Sequence, residues 1–167
     1  IHSIEATDYA LKKQIKNLSL NEELAKNIKL HNAYITNEKK SPGETYSSWD
    51  LTKKKTHKIH RGVLMKITKK TKNISLDDFI KNNKIHNIKI IKIDVDGHEL
   101  NVLKSGIKFL IKHSPIIIME YASYAFQEHG YNVKDFYSFL NKVGYKVYDF
   151  NLNKIKKIEV GDGSSVD

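Results

Sequence analysis

The clearest structural signal in the 167-residue chain is the segment Ile88-Lys89-Ile90-Ile91-Lys92-Ile93-Asp94-Val95-Asp96-Gly97. Isoleucine is β-branched and favours strands, and lysines are the only polar side chains before Asp94. A second run of this kind is Pro115-Ile116-Ile117-Ile118-Met119-Glu120-Tyr121, and the intervening residues 99–110 have a helical pattern interrupted by Gly106. A strand, a helix and a second apolar strand in this order predict a parallel βαβ unit.

The alternation of strand and helix extends toward the N-terminus. Residues 1–6 predict a strand, and either Thr7 or Asp8 then caps a helix. Two further strands are predicted within residues 28–36 and 63–67.

Two more helices and a hairpin complete the pattern. Ser75 and Asn132 each predict a helix start, and the second of these helices ends at Gly144. Residues 145–150 and 154–160 predict a closing antiparallel hairpin. The whole pattern predicts an α/β fold, a three-layer sandwich with a mostly parallel sheet and this antiparallel hairpin at its C-terminal edge.

Composition narrows the class of protein. The chain has no cysteine, which excludes disulfides and thiolate metal sites, and we expect no bound metal. Its longest apolar run, near residues 116–119, is far shorter than the roughly 20 residues of a membrane span, so we predict a cytoplasmic protein without one. The net charge is +10, but Arg61 is the only arginine among 29 basic residues. Because specific nucleic-acid recognition favours arginine, we predict no nucleic-acid partner.

Acidic or polar residues follow several of the predicted strands. Ligands of parallel α/β sheets collect at the carboxyl ends of strands, so we predict the functional site there. The residues selected by this rule are Glu5, those that follow Tyr34, Asp94 with Asp96, and Glu120.

The motif Asp94-Val95-Asp96-Gly97 is compatible with several roles. Asp96 can simply cap the following helix. In a phosphatase of the haloacid dehalogenase type, Asp94 would be the nucleophile and Asp96 the general acid. In a glycosyltransferase, the paired carboxylates would hold a divalent cation on a sugar diphosphate.

Four motifs, in order along the chain, resemble those of the FkbM family of S-adenosylmethionine-dependent methyltransferases. They are Ile4-Glu5-Ala6-Thr7 with Asn17-Leu18-Ser19-Leu20-Asn21, Ile74-Ser75-Leu76-Asp77-Asp78-Phe79, Ile88 to Gly106, and Pro115 to Glu120. The resemblance implies a class I, Rossmann-like fold in a bacterial, cytoplasmic enzyme. It also implies methyl transfer from S-adenosyl-L-methionine to a hydroxyl of a saccharide, glycolipid or secondary metabolite.

The family's glycine loop, of the form Asp-x-Gly-Ala-Asn-x-Gly, has no counterpart in the sequence. We therefore expect residues 1–167 to be a single methyltransferase domain that is incomplete at its N-terminus. The alternative is a non-catalytic Rossmann-like binding or scaffold module. An exposed strand edge would invite a second copy to pair, so a homo-oligomer is among the expected partners, beside a small-molecule or glycan acceptor.

The resemblance also implies roles for particular residues in holding the cofactor. Glu5 would accept hydrogen bonds from the ribose hydroxyls of S-adenosylmethionine. Asn32, Ala33 and Tyr34 would flank the adenine, and Asp94 would lie beside the methionine part and the acceptor.

Catalysis requires a group that removes the acceptor's proton, and Asp94, Asp96, His98 and Glu120 are the candidates. Asp96 stands where the family usually has Glu. His98 occupies a position that varies in the family, and a surface histidine is the competing interpretation. Residues 37–60, which include Tyr46 and Trp49, are predicted to form a lid over the acceptor.

Overall fold

The computed structural model describes residues 1–39, 42–47, 63–67 and 70–155. They form a mixed α/β fold in which the chain divides into two compact units, Ile1–Ile74 and Ser75–Asp167. Among the described helices, none has the length and apolar character needed to cross a bilayer.

The first unit is built on short strands with two helices. Its elements are β1 (His2–Glu5), α1 (Asp8–Ser19), α2 (Glu22–Ala25), β2 (Lys29–Ile35), β3 (Glu44–Tyr46), β4 (Leu64–Lys66) and β5 (Lys72–Ile74). β1, β2 and β5 form a parallel sheet with β2 in the middle, and β3 pairs with β4 as an antiparallel ribbon.

Helix α1 begins where the sequence predicts a cap. Thr7 has extended backbone angles, and its Oγ1 accepts a hydrogen bond from the N–H of Ala10 at 3.4 Å. Thr7, not Asp8, is therefore the N-cap, and Asp8 places a negative charge in the first turn of the helix, where the helix dipole favours it.

The second unit contains the two isoleucine-rich strands. Its elements are α3 (Leu76–Asn82), β6 (Ile90–Ile93), α4 (Glu99–Ser105), α5 (Ile107–His113), β7 (Ile116–Met119), a 3₁₀-helix (Ser123–His129) and α6 (Val133–Lys142). β6 and β7 are parallel, with Ile90 opposite Ile116 and Ile93 opposite Met119. The predicted βαβ unit is confirmed.

The helical pattern of residues 99–110 forms two helices because α3 packs against their junction. A Cβ on Gly106 would lie 2.6 Å from Leu76 Cδ2, so only glycine fits there without a shift. Ser105 Oγ accepts the N–H of Leu76 at 3.0 Å, and the carboxylate of Asp77 accepts the N–H of Phe109 at 2.9 Å. α3 thus caps the start of α5 and fixes the corner between α4 and α5.

Helix α6 closes an aromatic cluster in the second unit. Asn132 and Asp135 form a reciprocal capping box, as the predicted helix start requires. The cluster consists of Tyr121, Phe126, Tyr131 and Phe136, with ring centroids 4.7 to 5.5 Å apart in the contacting pairs. Gly144 follows α6 with φ of 80° and ends it as predicted.

The predicted C-terminal hairpin is described only in part. Tyr148 and Lys154 form a single antiparallel bridge, and residues 156–160 lie outside the described chain. The Asp149 carboxylate accepts the backbone N–H of Asn153 at 2.8 Å and its side-chain amide at 3.1 Å. These bonds favour a tight turn over an extended ladder.

Candidate functional site

In the second unit, two predicted carboxylates lie at adjacent strand ends. Asp94 follows β6 and Glu120 follows β7, and the N–H of Glu120 donates to the carbonyl of Ile93 at 3.2 Å. The Asp94 carboxylate forms an ion pair with Lys92, and both side chains are largely exposed. The strand register brings these two carboxylates to the same edge of the parallel pair, as the sequence predicts.

The chain turns sharply at Asp96 and Gly97, shortly after the end of β6. Both have positive φ angles, 49° for Asp96 and 101° for Gly97. A Cβ on Gly97 would lie 2.4 Å from the Cβ of Ala125 in the 3₁₀-helix. Gly97 is therefore required both by its backbone conformation and by close packing.

Glu99 lies beneath this turn and is completely buried, with 0 % of its surface exposed. Its Oε1 accepts the N–H of Gly97 at 3.0 Å, and its Oε2 has no hydrogen-bond partner among the described residues. Burial raises the pKa of Glu99 to about 7, and the charges of Glu120 and Asp96 act in the same direction, against the hydrogen bond from Gly97.

Tyr131 holds the other side of the same turn. Its hydroxyl donates to the carbonyl of Gly97 and accepts the N–H of Leu100 at 3.4 Å. Burial, and then the charge of Glu99, raise the pKa of the Tyr131 hydroxyl, so this group remains a donor at neutral pH.

His98 is buried, with 5 % of its surface exposed, so its interpretation as a surface histidine is wrong. Its ring contacts that of His129 edge-on, with centroids 5.0 Å apart. Its Nδ1 lies 3.5 Å from Nδ1 of His129 and 3.3 Å from Nδ2 of Asn101. The 3₁₀-helix, which carries His129, accounts for this burial.

In the first unit, Glu5 ends β1 with one carboxylate oxygen fixed. Oε1 accepts both the N–H and the hydroxyl of Thr7, each at 2.7 Å. Oε2 takes no hydrogen bond from the described residues. One oxygen thus orients the carboxylate, and the other keeps its capacity to accept donors from a ligand.

The three β2 residues predicted beside the cofactor have different environments. Asn32 Nδ2 donates to the carbonyl oxygens of Glu5 at 3.1 Å and Ala6 at 3.4 Å, so this side chain joins the ends of β1 and β2. Ala33 is buried on the opposite face of the strand. Tyr34 is half-buried, and burial, followed by the charge of Glu38, raises its pKa to about 12.

The predicted lid is described only in part. Tyr46 belongs to strand β3, so part of residues 37–60 is a strand and not a loop, whereas Trp49 lies outside the described residues. Among the described residues, no group of three or more His, Asp or Glu side chains could hold a metal ion.

Two residues of this region, Glu99 and Tyr131, were not predicted as site residues. Glu99 lies two residues beyond the motif Asp94-Val95-Asp96-Gly97, and a buried acid at a helix start has no distinctive sequence signal. Tyr131 directly precedes the Asn132 cap, but the sequence does not connect it with Gly97, which is 34 residues away.

A mostly parallel α/β fold with carboxylates at its strand ends is the arrangement of a ligand-binding α/β protein. The family model described as the methyltransferase FkbM domain matches residues 1–147. The chain belongs to the FkbM methyltransferase family, as the resemblance predicts. No curated protein and no solved structure shows significant similarity to the chain. The match supports methyl transfer over phosphatase or glycosyltransferase chemistry.

Proposed function

We propose that the protein is an S-adenosylmethionine-dependent O-methyltransferase that acts on a hydroxyl of a saccharide, glycolipid or other secondary metabolite. The observation that carries the proposal is the carboxylate of Glu5, fixed through Oε1 by Thr7 at the end of a parallel strand within the matched region. A charged acceptor of this kind suits the two neighbouring hydroxyls of a ribose.

Particular residues are assigned to parts of the cofactor. Glu5 binds the ribose, and Asn32, Ala33 and Tyr34 flank the adenine. Tyr34 supports this assignment because its half-buried ring has an apolar body and a polar tip. Ala33 would contribute through its backbone, since its side chain is buried. In the second unit, Asp94 lies beside the positively charged methionine part.

S-adenosylmethionine supplies, when bound, an electrophilic methyl group on a positively charged sulfur. The protein's task is to orient the acceptor hydroxyl and to accept the proton that its oxygen loses. Asp96 and Glu120 are the preferred bases, because Glu120 follows β7 directly and Asp96 lies in the turn just beyond the end of β6. His98 is a weaker candidate, because at 5 % exposure it offers little surface to an acceptor.

The proposal includes a Rossmann-like, three-layer arrangement within a single domain spanning residues 1–167. It is supported by the parallel pairing of β1, β2 and β5 in one unit and of β6 and β7 in the other. A small-molecule or glycan acceptor is the expected partner.

Isothermal titration calorimetry of the full chain with S-adenosylhomocysteine tests the proposal. We expect saturable binding with a dissociation constant on the order of micromolar. Absence of binding at millimolar ligand in a folded sample would overturn it. A bound sample would then be assayed for methyl transfer to a panel of hydroxyl-bearing saccharides.

A further inference from the structure

The backbone of Gly97 is held from three sides. Glu99 Oε1 accepts its N–H at 3.0 Å, the Tyr131 hydroxyl donates to its carbonyl, and Ala125 occupies the space that a Cβ on Gly97 would need. The side chains of Glu99 and Tyr131 are both buried, so water does not compete for their hydrogen bonds to Gly97. The turn between Asp94 and the start of α4 is therefore fixed by groups that lie beneath it.

The chemistry of Glu99 differs from that of the carboxylates around it. Its Oε1 is occupied by Gly97, so a proton on the neutral acid resides on Oε2, which has no partner among the described residues. A charged carboxylate would leave Oε2 without solvation in the interior, which is costly. The neutral acid avoids this cost and still accepts the N–H of Gly97.

Three titratable side chains interact electrostatically with Glu99, each from a different element. Asp96 lies in the turn after β6, Glu120 follows β7, and Tyr131 precedes α6. His98 is its neighbour at the start of α4 and contacts His129 of the 3₁₀-helix. The negative charges of Asp96 and Glu120 both disfavour a negative charge on Glu99.

We propose that Glu99 is a positioning residue for the proposed methyl transfer: as a buried neutral acid, it holds the Asp96–Gly97 turn without adding charge beside Asp96 and Glu120. This inference rests on the proposed function, because Asp94 and Asp96 serve the reaction only in that context. Glu99 itself does not touch the substrate. Its ionisation at higher pH adds a third negative charge and loosens the turn.

The first test follows the Gly97 amide resonance by NMR between about pH 5 and about pH 9. In the wild type we expect the resonance to titrate with a midpoint of about 7, as the Glu99 acid that it contacts ionises. Glu99→Gln keeps an acceptor oxygen for Gly97 and cannot ionise, so this titration should vanish. Glu128→Gln, an exposed carboxylate on the 3₁₀-helix, is the matched control and should titrate like the wild type.

The second test measures S-adenosylhomocysteine binding by calorimetry in the same proteins and in Glu99→Ala. We expect Glu99→Ala to weaken binding by about tenfold or more, since it releases the turn that carries Asp94, and Glu99→Gln to restore most of the loss below about pH 7. Above that pH, the wild type should lose affinity relative to Glu99→Gln.

The outcomes separate this inference from the proposed function. If the wild type binds no S-adenosylhomocysteine, the proposed function fails, and the positioning role fails with it whatever Gly97 does. If the wild type binds and Glu99→Ala binds equally well, the proposed function stands and the positioning role is overturned. A Gly97 resonance that titrates identically in Glu99→Gln also overturns it.

Discussion

The side-chain amide of Asn32 donates a hydrogen bond to the carbonyl oxygen of Glu5 over a distance of 3.1 Å. The two residues are direct partners in the parallel register of β1 and β2. Thr71 adds a second bond to this strand end, since its hydroxyl donates to the carbonyl of Ala6 at 3.0 Å. The proposed ribose-binding residue therefore stands on a strand end that side chains from elsewhere in the unit hold in place.

Replacing Asn32 with Asp should destabilise the first unit. The variant lacks the donor and places a carboxylate against two carbonyl oxygens, so we expect the free energy of unfolding to fall by about 1 to 3 kcal/mol. Urea denaturation measures the change. Asn27→Asp, on an exposed turn of the same unit, is the control and should lie within about 0.5 kcal/mol of the wild type. Equal stability of the two variants would refute the strand-end role of Asn32.

Glu5→Gln should weaken cofactor binding without unfolding the protein. The amide oxygen of Gln can still accept from Thr7, but the negative charge proposed to face the ribose is lost. Because hydrogen bonds to charged groups contribute about 1.5 to 3 kcal/mol, we expect the dissociation constant for S-adenosylhomocysteine to rise about tenfold to a hundredfold. Calorimetry provides the value, with Glu22→Gln on α2 as an exposed control. Unchanged affinity would remove Glu5 from the proposed site.

Gly97→Ala and Gly130→Ala form a matched pair that separates packing from backbone strain. Both glycines have positive φ, but a Cβ at Gly97 meets Ala125 at 2.4 Å, whereas one at Gly130 meets nothing within 4 Å. We expect Gly130→Ala to cost about 1 kcal/mol and Gly97→Ala about 2 to 4 kcal/mol in unfolding free energy. Equal losses in chemical denaturation would show that the turn can move away from Ala125.

Glu99 should make the stability of the protein depend on pH. Burial, before any other cause, raises its folded-state pKa from the ordinary 4.5 to about 7. Between these values the folded state binds more protons than the unfolded state, so the contribution of Glu99 is full below pH 4.5 and is lost as the pH rises through 7. The loss amounts to about 3 kcal/mol.

Denaturation of Glu99→Gln across this range provides the measurement. The variant does not titrate at this position, so its stability should gain about 3 kcal/mol relative to the wild type between the two ends of the window. Glu128→Gln should run parallel to the wild type throughout. Parallel curves for Glu99→Gln as well would mean that Glu99 remains ionised when the protein is folded.

The fold could be predicted where its signals are local. The runs around β6 and β7 are apolar enough to be recognised, and the caps at Ser75 and Asn132 use side chains within three residues of the groups they bind. β3 and β5 could not be predicted, because their three residues each, Glu-Thr-Tyr and Lys-Asn-Ile, are mostly polar and form no apolar run. They exist through pairing with β4 and β2, and such pairing depends on the tertiary structure.

In the candidate site, too, the residues that could be predicted are those with a local sequence signal. The strand-end carboxylates Glu5, Asp94 and Glu120 follow from one rule about parallel sheets, and the structure locates each at a strand end. The burial of His98 and the contact of Tyr131 with Gly97 depend on how the 3₁₀-helix and the segment before α6 fold back over the turn. No local sequence pattern predicts that these two segments fold back over the turn.

The hydroxyl of Thr7 links the proposed ribose-binding carboxylate to helix α1. It donates to Glu5 Oε1 and accepts the N–H of Ala10, so the same atom serves the carboxylate and the first turn of α1. The orientation of Glu5 and the integrity of that turn are mechanically linked. A ligand that moves the Glu5 carboxylate also moves the Thr7 hydroxyl that caps α1. The rate of hydrogen exchange at the Ala10 amide should therefore change when a ligand binds to Glu5.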